Sequence, residues 1–191
     1  MRESLYLTKS KIRQDLLALF FTNPSRRYYL RELERILQYS AGSIRRELLK
    51  FQKDNLFRTQ RTANLLYYSV NNEHPLYTEL ESIIFKTIGV PATLKKIISS
   101  LDRIQAAFIY GEFASRQSKA SGDIDIMIIG DPDLSLLFTE IARVEKKLDR
   151  DMNVTVYTPD EFRSKKKEGK AFVIDLLINP KIMLCSSEHD L

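Results

Sequence analysis

Residues 106–129 leave this chain few ways to fold. An apolar run from Ala106 to Tyr110 meets Gly111, a polar stretch follows, and Asp123-Ile124-Asp125-Ile126-Met127-Ile128-Ile129 is apolar except for two aspartates. The pattern predicts a strand, a glycine turn, a short polar helix and a second strand. Side chains alternate faces along a strand, so Asp123 and Asp125 share one face at a spacing of about 7 Å. Ile124 and Ile126 then point the other way, into a core. Two carboxylates fixed on one face of a buried strand suit Mg²⁺, a hard cation that takes oxygen ligands and completes its shell with phosphate and water.

Gly111-Glu112, ten further residues, and then Asp-apolar-Asp-apolar resembles the signature of nucleotidyltransferases with the DNA polymerase β fold, in particular the small bacterial and archaeal minimal nucleotidyltransferases. Gly111, Asp123 and Asp125 match, and Val154-Thr155-Val156-Tyr157-Thr158-Pro159 is similar to the family's next strand. The resemblance implies that Asp123 and Asp125 are catalytic metal ligands for Mg²⁺. It also implies that Gly111, Glu112 and Arg116 line the binding site of a nucleoside triphosphate. In such a site the glycine lets backbone N–H groups approach phosphate, and two metal ions stabilise the attacking and leaving oxygens. Two positions depart from the pattern. Glu112 stands where a serine is usual, and a carboxylate there repels a triphosphate. An alignment on Thr158-Pro159 puts Thr155 where a third carboxylate is expected. Asp151 shares Thr155's strand face but lies about 13 Å away along it; with Asp149 it reads as a polar turn.

Charge divides the chain. Residues 1–75 carry 14 Lys/Arg and 7 Asp/Glu, a net +7, whereas residues 76–191 carry 16 and 18, a net −2. A basic first part points to a polyanionic partner for that part alone. Cys185 is the single cysteine, so no intrachain disulfide forms, and a reducing cytoplasm is the expected compartment. With only His74 and His189 available, thiol catalysis is a poor fit. No apolar run approaches the roughly 18 residues of a membrane span, and Met1 to Tyr6 has no signal-peptide core.

Within the basic part, Ile12, Leu16, Leu19 and Phe20 recur at helical spacing and stop before Asn23-Pro24; Leu30, Leu33, Ile36 and Leu37 mark a second helix. Ser40 is placed to cap a third, with Ile44, Leu48 and Phe51 along one side. Asn55 suits a left-handed turn after it. Residues 56–58 and 66–70 then read as strands around a loop at 60–64. Helix, helix, turn, helix, hairpin resembles winged-helix regulators of the broad ArsR/MarR-like type. That resemblance makes the third helix the reader of duplex DNA, with Ser43, Arg45, Arg46 and Lys50 off its apolar stripe. Arg58 and Arg61 sit on or beside the wing. Arg26 and Arg27 precede the second helix, within reach of phosphate. An α-helix fits the major groove, where arginine pairs bidentately with guanine.

The expected fold class is α+β: a winged helix-turn-helix domain over residues 1–74, then a nucleotidyltransferase-like α/β domain with a small mixed sheet over 75–191, its residues 75–91 forming a connecting helix. Gly89-Val90-Pro91 reads as a break, followed by helices over 94–101, 134–148 and 172–177, with an edge strand at 182–184. The function expected is that of a DNA-binding transcriptional regulator, a homodimer on two-fold sites. Its second domain is degraded or serves as a ligand sensor. The alternative is an active Mg²⁺-dependent nucleotidyltransferase modifying a hydroxyl of protein or nucleic acid. The resemblance also implies a small helical toxin-like protein as a partner, in an antitoxin-like role.

Overall fold

A computed structural model describes residues 8–115 and 122–186. Two compact units make up the chain. One is Met1–Val90 with Lys146–Asp149; the other is Pro91–Glu145 with Arg150–Leu191.

The first unit runs α1 (Lys11–Thr22), β1 (Tyr28–Tyr29), α2 (Leu30–Leu37), α3 (Ala41–Lys53), β2 (Phe57–Thr62), β3 (Leu65–Val70) and α4 (Tyr77–Thr87). Ser10 starts α1 by accepting a hydrogen bond from the Arg13 N–H, and Ser40 does the same for α3 through the Ser43 N–H. Each satisfies one of the donors that a helix start leaves open. Asn55 follows α3 with φ 55°, the left-handed conformation that asparagine tolerates. The three strands form an antiparallel sheet in the order β1-β3-β2. Its core is aromatic: the Phe20 ring lies 5.3 Å from Tyr28 and 4.4 Å from Phe57, and Phe51 lies 4.6 Å from Phe57. Leu16, Leu19, Leu33, Ile44 and Leu48 are fully buried around them.

Two expectations change here. The hairpin loop is shorter than 60–64, because β2 continues to Thr62 and only Ala63 and Asn64 connect the strands. Polar Gln60, Arg61 and Thr62 conceal the strand from a hydrophobic pattern, yet they pair with Tyr67, Leu66 and Leu65. The connecting helix α4, grouped above with the second domain, lies in the first unit. Its Ile84 is 1% exposed within the first core, with Tyr77, Leu80 and Ile88 packed on it.

The second unit runs α5 (Val90–Ile98), β4 (Ile104–Tyr110), α6 (Gly111–Ser115), β5 (Ile124–Gly130), α7 (Leu134–Leu148), β6 (Met152–Tyr157), α8 (Pro159–Lys167), α9 (Ala171–Ile178) and β7 (Ile182–Cys185). The expected break falls at Ile88 and Gly89, between the end of α4 and the start of α5, but the next helix begins at Val90, earlier than 94. Pro91 lies in the first turn of α5, where a missing N–H costs nothing. The sheet has the order β6-β5-β4-β7. It is mixed: β5 and β6 are parallel, joined across α7, and the other pairs are antiparallel. Ala106, Phe108, Met127 and Ile129 on one face share a core with Phe162 of α8 and with Val173 and Leu176 of α9. On the other face Ala107, Ile109, Ile124, Ile126 and Ile128 are fully buried. Among the described residues no helix is long and apolar enough to cross a membrane.

Tyr77 gives the first core a testable alkaline weakness. Burial, then the Glu81 carboxylate beside it, push its hydroxyl from the ordinary 10 up to about 12. A group held above its unfolded value contributes fully below pH ~10, and the contribution drains away as pH rises toward ~12. Tyr77→Phe is therefore expected to flatten the fall in stability over that window. Urea midpoints at about pH 8 and pH 11 check this; an equally steep fall in the variant contradicts it.

Candidate functional site

The aspartate face is built by register. Tyr110 of β4 lies opposite Asp125 of β5, and Asp125 lies beside Asn153 of β6. Asp123 and Asp125 thus stand at the open end of the face that, further along, carries Met127 and Ile129 into the core with Phe162, Val173 and Leu176. Ile124 and Ile126, which alternate with them, have no exposed surface. Burial of those isoleucines fixes which way the two carboxylates turn, since a one-residue slip would exchange the two faces. Asp123 is exposed and Asp125 half-buried.

Asn153 joins the two carboxylates. Its Nδ2 donates to Asp123 Oδ2 at 3.3 Å and to Asp125 Oδ1 at 3.1 Å. Thr155, placed above at the third-carboxylate position, is one pleat further on and pairs with Met127. There it bonds to the hydroxyl of Tyr110 instead. Burial raises the Tyr110 hydroxyl above its usual range, with the Thr155 bond opposing and the Asp125 charge adding to the rise. An alignment on Thr158-Pro159 misses Asn153 because it fixes the end of β6 and not the stagger of a parallel pair. Alternation puts Asn153, Thr155 and Tyr157 on one face but does not say which of them lies beside Asp125. Asp151 does precede the strand, and its carbonyl accepts from the Ile124 N–H at 2.9 Å.

Gly111 has a role that any side chain would obstruct. Its φ is +73°, and a Cβ there would lie 2.9 Å from Asp125 Oδ2. The turn out of β4 therefore runs directly against the second oxygen of Asp125. Exposed Glu112 follows at the start of α6. Arg116 lies outside the described residues. Arg150, 8% exposed, donates from Nη2 to the Gly122 carbonyl and lies over the Phe113 ring at 6.0 Å. One buried guanidinium thus holds residues on both sides of the segment before Asp123.

As a metal site, the face offers two carboxylates and an amide. Among the described residues no three His, Cys, Asp or Glu side chains gather around a cation position. Two aspartates balance one divalent ion. They do not supply the anionic ligands for the pair of ions expected above, and the amide meets them with N–H groups.

The basic side chains of the first unit fall into two sets. On α3, Ile44, Leu48 and Phe51 are buried, while Arg45, Arg46 and Lys50 are exposed and Ser43 half-buried. Arg46 Nη2 reaches Ser43 Oγ at 3.3 Å. Lys50 is paired with Glu47 at 2.8 Å and Arg58 with Glu73 at 2.5 Å, so both are partly neutralised. Arg61 is exposed on β2. Arg27 lies over the Tyr67 ring at 4.7 Å and donates to Gln60 at 3.1 Å.

A strand, a glycine turn, a short helix and a central strand with two carboxylates on one face define a nucleotidyltransferase-type domain. The family model described as polymerase beta, nucleotidyltransferase, matches residues 92–189. The chain belongs to that family. Comparisons with curated proteins and with solved structures gave no match.

Gly111→Ala tests the turn. A left-handed alanine costs about 1–2 kcal/mol, and its Cβ displaces the Asp125 carboxylate. The expected outcome is a lower denaturation midpoint at an unchanged slope, measured in urea. A midpoint equal to that of wild type contradicts the close approach.

Proposed function

We propose that this protein is a DNA-binding regulator. In this reading the first unit is a winged helix-turn-helix domain, and the second is a nucleotidyltransferase-fold domain that senses a ligand without efficient nucleotidyl transfer. The observation that carries the first half is α3: its apolar stripe is buried while Arg45 and Arg46 face outward, beside an antiparallel hairpin bearing Arg61, in a part of the chain with net +7. A helix of that kind fits the major groove. Arg45 and Arg46 read base edges, Ser43 supports Arg46, and Arg61 and Arg27 meet phosphate. Lys50 and Arg58 contribute less, being held by Glu47 and Glu73. A homodimer on a two-fold site follows from this docking.

For the second half, Asn153 stands between the aspartates and Glu112 stands in the turn after Gly111. A bound Mg²⁺ would be held by Asp123 and Asp125, and a nucleoside triphosphate is the ligand class that the family membership favours. Fold alone does not carry the family's chemistry. One observation favours the competing reading of an active transferase, namely that the carboxylate pair is intact on a single face.

The full chain is expected to shift duplex DNA, with affinity falling steeply as salt rises because phosphate contacts release counterions. Arg45→Ala or Arg46→Ala should cost about 1–3 kcal/mol and relax specificity at one base pair, whereas Lys50→Ala costs less. Mobility shifts and salt titrations check this; uniform absence of binding at low salt contradicts it. For the second half, labelled nucleoside triphosphates with Mg²⁺ are expected to leave little label on protein or DNA. Robust labelling abolished by Asp123→Asn establishes the transferase reading in its place.

A further inference from the structure

We infer that Asn153 sets the metal affinity of the Asp123–Asp125 pair, because its amide occupies carboxylate lone pairs that a divalent cation needs. An asparagine amide has two N–H donors and one carbonyl acceptor. Here the nitrogen serves both aspartates, at 3.3 and 3.1 Å, so its donors are committed to the pair and its Oδ1 is turned away. The other Asp125 oxygen faces Gly111, close enough that a Cβ there would lie 2.9 Å from it. Free approach to Asp125 is thus narrowed from two sides. Two like charges on one strand face repel, and the amide dipole relieves part of that repulsion without supplying a ligand. A cation that takes the two bridged oxygens head-on competes with the Asn153 donors, and it gains a third oxygen only if the amide rotates by about half a turn to present Oδ1. Rotation breaks the bonds to both carboxylates.

This makes the site a tuned one. Its ligands carry two negative charges, and the amide that bridges them is neutral and in the donor orientation. Affinity of oxygen-ligand sites rises with ligand charge and falls when ligands must be rearranged. A resting state without a divalent ion therefore has a stable arrangement of its own, and a ligand that brings its own anionic oxygens, as a phosphate does, shifts the balance toward the metal-bound one. The inference rests on the geometry of the β5–β6 pair, and failure of DNA binding would leave it untouched.

The test is Mn²⁺ binding to the full-length protein, followed by loss of the free-ion paramagnetic resonance signal, for wild type, Asn153→Asp, Asn153→Ala and the near-isosteric Asn153→Leu. Asn153 is exposed, so the fold should tolerate all three, and circular dichroism with a melting curve checks this for each. Asn153→Asp is expected to tighten binding on the order of tenfold by adding ligand charge. Without metal its melting temperature should fall, because three carboxylates then crowd one face. Asn153→Ala and Asn153→Leu are expected to bind Mn²⁺ more tightly than wild type, since competing donors are gone and no ligand is added. Equal or weaker binding in both neutral variants overturns the inference: weaker binding makes the amide oxygen a ligand, and equal binding makes the residue a bystander. Failure of a folded Asn153→Asp protein to gain affinity overturns it as well.

Discussion

Strand β5 is the constraint on which the second unit depends. It runs from Ile124 to Gly130 through the middle of the sheet, and its residues from Ile126 onward are buried on both faces. Such a strand has no freedom to slip, because each one-residue shift would drive Asp123 and Asp125 into one core and expose three isoleucines. The carboxylates stand on the open end of a face because every other position on it is claimed by packing against α8 and α9. The same fixed strand sets the register of both neighbours, and through it the approach of Gly111 on one side and Asn153 on the other. The site is therefore a by-product of core packing in position, and a matter of three side chains in chemistry.

Much of this was legible in the sequence. Period-2 alternation with two aspartates announced β5 and its polar face. Helical spacing announced α1, α2, α3 and α7, and Ser40 is a cap of the kind that opens a helix. What the sequence concealed depends on relations between strands. Nothing within Met152–Tyr157 says which of its residues lies beside Asp125, since the stagger of a parallel pair is set by how the crossover helix packs. Thr155 and Asn153 share a face, and only register separates them. The far half of β2 was hidden for another reason. Gln60, Arg61 and Thr62 need no hydrophobic pattern, because the hairpin tip is solvated on both faces and held by backbone pairing. The break near Gly89 separates α4 from α5 as expected, but the early start of α5 was hidden because Pro91 reads as a breaker and is equally at home in a first helical turn.

Family membership fixes the fold of the second unit and leaves its chemistry to the residues present. Those residues combine retained and altered parts. The glycine turn and both aspartates are in place, whereas an acid follows the glycine and an amide bridges the aspartates. The first unit has its own aromatic core and its own charge.

The amide bridge can be observed directly. Nuclear magnetic resonance of protein labelled with ¹⁵N-asparagine resolves side-chain NH₂ groups, and the Asn153 pair is assigned by its loss in a variant lacking that residue. The account predicts that both Asn153 protons are shifted downfield and exchange slowly with water, and that this protection disappears when Asp125 is replaced by alanine. Protons that exchange as fast as those of the exposed Asn72, with no response to the loss of Asp125, would contradict the central claim that this family member closes its carboxylate pair with an amide.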